Sequence, residues 1–191
     1  MKSKWDWKKQ ALLQELQQAA DRSRVLSVLN VRTQDNDIQA VVQFDFPTLV
    51  MCSDSTVSLA GPVVVGLRYG AHLLSETPHP LELAAILTPA PFHPNCSPHG
   101  LLCLGHPTPG ISFYSVLHQV WAALTFNMKC VNVRPGEVMN REAADYVRLH
   151  PDRFPLTDEG LFEAAPVWHP TDSARLAKWY HLASNPQGIS P

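Results

Sequence analysis

The sequence predicts an α+β fold: an N-terminal helix, a four-stranded antiparallel meander, and then C-terminal helices. Three observations carry this prediction. An apolar stripe of helical spacing opens the chain, four strand-like runs follow before residue 89 with no helical pattern between them, and a strongly amphipathic stretch begins near residue 112. The 17 prolines in 191 residues, against 9 glycines, exclude a coiled coil or an all-helical bundle, because proline breaks helix interiors.

The first helix is predicted over residues 3–21. Leu12, Leu16 and Ala20 repeat at four-residue spacing, and Ser3 is a suitable N-cap. Basic side chains cluster near its start: Lys4, Lys8 and Lys9. Taken from the residues alone, these lysines are most simply a solvated helix face.

Four strands are predicted next. Residues 24–32 are rich in Val and Leu, which indicates a buried strand, and residues 38–46 alternate between apolar and polar, which is typical of a half-buried one. Residues 62–69 give the third strand. Residues 81–88 are either the fourth strand or a short helix, because Ala and Leu favour helices. With no helix between them, the strands are expected to pair antiparallel.

The second half of the chain is predicted to be helical at three places. Ser112 caps an amphipathic helix, and Asn140 caps a short one that runs through His150. A last helix is predicted over 172–184, followed by a frayed tail. The helix stripe after Ser112 consists of Phe113, Val116, Leu117, Val120, Trp121 and Leu124.

The domain division is predicted at residue 155. Residues 1–155 form the main domain, and residues 156–191 form an extension with one helix and the tail.

Charge and hydropathy exclude several classes of partner. Fifteen basic and 17 acidic residues give a net charge of −2, so no excess of positive charge indicates nucleic acid or an anionic membrane. No apolar run approaches the about 18–20 residues of a transmembrane span, and the first residues are too polar for a signal peptide. We therefore expect a soluble, cytoplasmic protein. Its cysteines are expected to be reduced: Cys52, Cys96, Cys103 and Cys130.

Residues 89–111 include six prolines. A connecting segment of this length is uncommon unless it has a function, so we expect these residues to contribute to a functional site. Its candidate metal ligands are His93, Cys96, His99, Cys103 and His106. Two sulfurs and three imidazoles suit zinc, but Cys96 and Cys103 are seven apart, whereas structural zinc sites usually pair cysteines at C-x₂₋₄-C. We expect no metal and no cofactor, and keep a zinc-stabilised binding module as an alternative.

Cys103 has a second interpretation, as a nucleophile. It lies among leucines directly after a rigid polar loop, where the edge of a cleft can hold a thiol partly exposed. Exchange of one thioester for another is nearly balanced in free energy, so it does not require a strongly lowered thiol pKa.

His93-Pro94-Asn95, with Cys103 eight residues after the asparagine, resembles the active-site signature of ubiquitin-conjugating enzymes. The order of elements agrees, with a leading helix, a meander, and a helix after the cysteine. Asn140-Arg141-Glu142-Ala143-Ala144 is similar to the family's Asn-Pro-Glu-Ala-Ala turn into a helix. The resemblance covers about residues 3–155 and implies a ubiquitin-conjugating-enzyme-like fold.

The resemblance implies a function and assigns roles to residues. Cys103 would accept a ubiquitin-like protein from an adenylating enzyme as a thioester and pass it to an amine of a protein substrate, with or without a ligase. Asn95 would support the loop and the oxyanion of the transfer step, with His93 and Pro94 as structural residues of the loop. The activating enzyme would dock on the first helix through Lys4, Lys8 and Lys9.

The departures from the family pattern are equally specific. Gly105 stands where many members have an aspartate, and the usual tryptophan after the cysteine is missing. The acidic group that orients an incoming lysine would correspond to Glu137. Residues 51–60 have no counterpart. Such divergence suggests a remote member, and we hypothesise a bacterial system with its own ubiquitin-like protein. The other alternative is an inactive scaffold of the same fold, which the presence of Cys103 argues against.

Overall fold

The computed structural model describes residues 3–134 and 136–164. Helix α1 spans Lys4–Arg22, which confirms the predicted first helix and its cap. Ser3 Oγ accepts a hydrogen bond from the Asp6 backbone N–H at 3.1 Å, and the Asp6 carboxylate accepts one from the Ser3 N–H at 2.8 Å. This reciprocal pair satisfies two otherwise unpaired donors of the first turn. The buried side of α1 carries Trp5, Leu12, Leu16 and Ala19.

The main sheet is the predicted four-stranded antiparallel meander. Its strands are β1 (Leu26–Gln34), β2 (Asp37–Phe44), β5 (Val63–Gly70) and β6 (Ala84–Thr88), in the order β1-β2-β5-β6. Of the two alternatives for residues 81–88, the strand is correct. Alternate residues of β2, β5 and β6 point into the main core, as a half-buried sheet requires. The buried set includes Ile38, Val42, Phe44, Val65, Leu67, Tyr69 and Ile86.

The prediction that the first strand is buried is wrong. β1 lies at the edge of the sheet, and only Leu26 at its start is buried. Leu29 is 53% exposed and Val31 is 37% exposed. Val and Leu indicated strand propensity correctly, but that propensity does not say whether a strand lies at the centre or at the edge of the sheet.

A second, two-stranded sheet lies between β2 and β5 in the chain. Strands β3 (Thr48–Met51) and β4 (Val57–Ala60) pair as an antiparallel hairpin that the sequence did not predict. Leu49 of β3 accepts a hydrogen bond from the Phe92 backbone N–H at 2.8 Å. The hairpin therefore holds the start of the proline-rich segment, residues 89–111. It helps to enclose a second, smaller core made by Leu49, Phe92, Phe126, Val131, Ala143 and Val147.

Helices α2 (Phe113–Leu124) and α3 (Arg141–Leu149) confirm the two predicted helices and their caps. Ser112 Oγ accepts from the Ser115 N–H at 3.1 Å, and Asn140 Oδ1 accepts from the Ala143 N–H at 3.0 Å. All six residues of the predicted α2 stripe are buried. Helix α2 is joined to α1 by a hydrogen bond from the Phe113 N–H to the Glu15 carboxylate at 2.8 Å.

Residues 156–164 pack against the main core. Trp121 Nε1 donates to the Glu159 carbonyl at 3.0 Å, and Ser23 Oγ donates to the Leu161 carbonyl at 2.9 Å. The domain division at residue 155 stays a prediction, and the predicted helix over 172–184 lies outside the described residues. None of the helices in the described ranges is long and apolar enough to cross a bilayer.

Candidate active site around Cys103

His93 anchors the proline-rich segment to the end of α2. Its side chain is fully buried, its Nδ1 accepts from the Asn95 N–H at 3.0 Å, and its Nε2 lies 3.0 Å from the Ala123 carbonyl. Because Nδ1 accepts, the proton is on Nε2, which donates to Ala123. Burial lowers the pKa of His93 from the ordinary 6.5 to about 4. The imidazole is therefore a neutral structural group and not a proton carrier at neutral pH.

Pro94 joins the same turn to the start of α3. Its carbonyl accepts hydrogen bonds from the Met139 N–H at 2.9 Å and from the Asn140 N–H at 3.2 Å. Two sequence motifs are thus in direct contact although Pro94, which belongs to the first, and Asn140, which caps the helix of the second, are 46 positions apart.

Gly100 allows the chain to turn back along β6. The Gly100 carbonyl accepts from the Ile86 N–H at 2.8 Å, and the Leu102 N–H donates to the Ala84 carbonyl at 3.0 Å. At Gly100 φ is +84°, and a Cβ would lie 2.3 Å from the Ile86 oxygen. Glycine is required here both by the left-handed backbone and by the close approach.

Cys103 follows directly on this turn. Leu102 is fully buried and Cys103 is partly exposed, as expected of neighbours in an extended chain whose side chains point to opposite sides. The Cys103 N–H donates to the Asn95 carbonyl at 2.8 Å, and the Leu104 N–H donates to the Pro80 carbonyl at 3.1 Å. The thiol is therefore carried on a backbone that is hydrogen-bonded on both sides of it.

The Asn95 side chain holds the loop after α2 against Cys103. Its Nδ2 donates to the Cys130 carbonyl at 3.0 Å, and its Oδ1 accepts from the Asn132 N–H at 3.0 Å. These two partners fix the orientation of the amide, since a flipped amide would face donor with donor. The described residues supply no acceptor for the second Nδ2 hydrogen.

Glu137 is linked to Asn95 through Asn132. Asn132 Nδ2 lies 3.2 Å from Glu137 Oε2 and 3.4 Å from the Glu137 carbonyl. Asn132 thus contacts Asn95 with its backbone and Glu137 with its side chain. The Glu137 side chain is exposed to solvent.

The three residues that the sequence singled out as catalytic line one cleft. It has a volume of about 560 Å³, and Cys103, Asn95 and Glu137 all contribute to its wall. Gln119 of α2 lines it as well, and its buried Oε1 accepts no hydrogen bond from the described residues. His106, which the sequence offered only as a metal ligand, lines the cleft too, and three further polar or charged lining residues were not predicted as site residues: Lys129, Cys130 and Asn132. They belong to loops without periodicity, so no local signal in the sequence distinguishes them.

Two of the candidate zinc ligands, His93 and Cys96, are not available to bind a metal ion. Both ring nitrogens of His93 are engaged, and Cys96 is 1% exposed within the main core. Burial raises the pKa of the Cys96 thiol to about 12, so it is not available as a thiolate. Nowhere in the described ranges do three His, Cys, Asp or Glu side chains come together in a way that would hold a metal ion.

The three lysines of α1 differ in their surroundings. Lys4 is exposed and Lys8 is half-buried. The Lys9 side chain is only 17% exposed, and its Nζ lies 3.9 Å from the Asp6 carboxylate and 5.9 Å from the centre of the Trp5 ring. Lys9 is therefore engaged with its own helix, and Lys4 is the one most open to a partner.

Comparison with protein-family models and with curated protein sequences gave no match. The family resemblance therefore stays a prediction that depends on the residues described above.

Proposed function

We propose that this protein is a ubiquitin-conjugating-type enzyme, which accepts a ubiquitin-like protein from an adenylating enzyme as a thioester on Cys103 and transfers it to an amine. The observation that carries the proposal is that the partly exposed residue Cys103 lines one cleft together with Asn95 and Glu137. The reaction requires a reduced thiol, which is the usual state of cysteine in the cytoplasm, where we place the protein.

The first step is a thioester exchange. The Cys103 thiolate attacks the carbonyl carbon of the incoming thioester and forms a new C–S bond. The C–S bond to the donor breaks, and the departing donor thiolate takes up a proton equivalent to the one that Cys103 lost. Little change in free energy is needed, because one thioester replaces another. The carboxyl tail of the donor would lie in the cleft, whose wall includes Gln119 of α2.

The second step is attack by an amine. The amine nitrogen bonds to the thioester carbon, negative charge develops on the carbonyl oxygen, and the Cys103 thiolate leaves. The second Nδ2 hydrogen of Asn95 is the candidate donor to that oxygen, and its amide is already oriented by Cys130 and Asn132. The Glu137 carboxylate takes the proton that the amine loses.

The scaffold alternative predicts binding without chemistry. A protein that only binds partners needs neither a partly exposed thiol nor an oriented amide beside it. We also propose that the activating enzyme docks on α1, with Lys4 as the main contact. Lys9 would contribute less, because its amine already lies near the Asp6 carboxylate.

A small thioester donor tests the first step without a known partner. A synthetic peptide that ends in Gly-Gly and carries a mercaptoethanesulfonate thioester is mixed with the protein, and the adduct is located by mass spectrometry of peptides at acidic pH. We expect the acyl group on Cys103, released by excess thiol. Cys103→Ser should give a thiol-resistant ester or no adduct there.

Cys130→Ser is the matched control, because Cys130 is an exposed thiol of the same cleft. This variant should load Cys103 as the unchanged protein does. If Cys130 of the unchanged protein were acylated as fast as Cys103, the reaction would require only an exposed thiol, and the proposal would be overturned.

A further inference from the structure

We infer that Lys129 is an internal acceptor, a modification site to which the acyl group on Cys103 is transferred within the same molecule. The inference rests on the proposed function. Lys129 is the single lysine between residues 10 and 177, and its exposed side chain lines the cleft that holds Cys103, Asn95 and Glu137.

Hydrogen bonds through Asn95 link the backbone at Cys103 to the loop that carries Lys129. The Cys103 N–H donates to the Asn95 carbonyl at 2.8 Å, and Asn95 Nδ2 donates to the carbonyl of Cys130 at 3.0 Å. Cys130 directly follows Lys129, so one residue, Asn95, separates the backbone of the nucleophile from that of the lysine loop. The flexible four-carbon stem of a lysine supplies the remaining reach.

The loop that carries Lys129 is itself held in place. The Lys129 N–H donates to Asn127 Oδ1 at 3.1 Å, and the Cys130 N–H donates to the Asn127 carbonyl at 2.8 Å. The side chain, in contrast, makes no ion pair with any carboxylate in the described part of the chain, whereas Lys9 is paired with Asp6. A fixed backbone with an unpaired amine is the arrangement expected of an acceptor that must turn towards the thioester.

The transfer balances without a further reactant. The neutral amine of Lys129 attacks the thioester carbon on Cys103, a C–N bond forms and the C–S bond breaks. The Cys103 thiolate leaves and takes up a proton from water, while the Glu137 carboxylate takes the proton of the amine and releases it to water. The products are an amide on Lys129 and a free Cys103 thiol. An acyl chain on Lys129 would lie in the cleft and hinder the next cycle.

The same Gly-Gly peptide thioester is the probe for this transfer. Intact mass is followed after loading and then after excess thiol, which removes thioesters and leaves amides. We expect a thiol-resistant adduct of one peptide that maps to Lys129. Lys129→Arg keeps the positive charge but removes the nucleophile, so it should reduce that adduct to less than about a tenth while Cys103 still loads. Loading of Cys103 while the buried Cys96 stays unacylated verifies that the variant folds.

Lys178→Arg is the matched control, a lysine outside the described residues, and it should keep the adduct. The inference is overturned if the thiol-resistant adduct survives in Lys129→Arg, or if it maps to another lysine. An adduct that forms in Cys103→Ala would also overturn it, because Lys129 would then react with the peptide directly. Loading of Cys103 without any amide overturns the inference and leaves the proposed function standing, whereas failure to load Cys103 overturns both.

Discussion

The four cysteines of this chain differ in how much of each residue is exposed to solvent. Cys130 is exposed, Cys103 and Cys52 are partly exposed, and Cys96 is buried. Only the thiolate reacts, and burial raises the pKa of Cys96 to about 12. The Cys96 thiolate is then about a ten-thousandth of the population near pH 8.

Alkylation of the folded protein tests this ranking. We expect iodoacetamide to label Cys130 and Cys103 first, and Cys96 only when the protein is unfolded in urea. Peptide mapping by mass spectrometry as a function of time gives the order. Labelling of Cys96 in the folded protein at a rate similar to that of Cys130 would contradict the buried position.

His93 makes stability depend on pH. Its pKa is lowered by burial from 6.5 to about 4, so the unfolded chain binds a proton in that window and the folded protein does not. Stability is therefore fully present above the unfolded pKa and falls as the pH falls. From about pH 7 to about pH 5, we expect this residue to remove about 2 kcal/mol from the free energy of unfolding.

Urea unfolding at several pH values, with His93→Gln as the comparison, measures that contribution. The glutamine does not titrate and retains an amide N–H for the Ala123 carbonyl. We expect a shallower pH dependence for this variant by about 2 kcal/mol over the same range. Identical pH dependence in both proteins would mean that His93 is not buried as a neutral ring.

Single residues also show where the sequence stopped being informative. Cys103, Asn95 and Glu137 were predicted from a resemblance to a family pattern, and the fold brings them to one cleft. Lys129 and Asn132 were not found, because irregular loops have no period from which direction or contact can be inferred. Their position depends on hydrogen bonds to Asn95, which only the folded chain reveals.

Among the elements, the turn that returns the chain to β6 depends on glycine. Gly100 and Gly105 both have positive φ, at +84° and +77°. They differ in surroundings, because a Cβ at Gly100 would lie 2.3 Å from the Ile86 oxygen and one at Gly105 would meet nothing within 4 Å. Substitution of Gly105 therefore tests backbone strain alone, whereas substitution of Gly100 tests strain together with a steric clash.

We expect Gly105→Ala to lower the free energy of unfolding by about 1 kcal/mol, which is the cost of a left-handed alanine. Gly100→Ala adds a backbone clash and should cost about 3 kcal/mol or more, with loss of the hydrogen bond from Ile86. Thermal or urea unfolding of the two variants gives the comparison. Equal costs would mean that β6 moves aside without penalty.

Strands and helices were predicted well where periodicity was strong, and less well where burial depends on neighbours. The α2 stripe is buried throughout, since its spacing alone defines a face. β1 was wrongly expected to be buried because its Val and Leu residues say nothing about its position at the sheet edge. The β3–β4 hairpin was missed because its strands have only four residues each, too few to show alternation.

For the molecule as a whole, the open question is where the cooperative fold ends. The sequence placed the division at residue 155. Beyond it, however, Leu161 is fully buried in the main core, and its carbonyl accepts from Ser23 Oγ at 2.9 Å. Glu159 accepts from Trp121 Nε1 at 3.0 Å. These contacts tie the segment to both α1 and α2, so we expect the cooperative unit to extend to at least Ala164.

Leu161→Ala tests this expectation. A leucine with no exposed surface should cost about 2–5 kcal/mol when truncated, because its transfer free energy is lost and a cavity remains. Leu149→Ala is the matched control, since Leu149 is 76% exposed and its truncation should change stability by less than about 0.5 kcal/mol. Urea unfolding monitored by tryptophan fluorescence measures both, because Trp121 lies against the segment. If the Leu161 variant were as stable as the Leu149 variant, the cooperative unit would end near residue 155 and residues 156–164 would not be part of it.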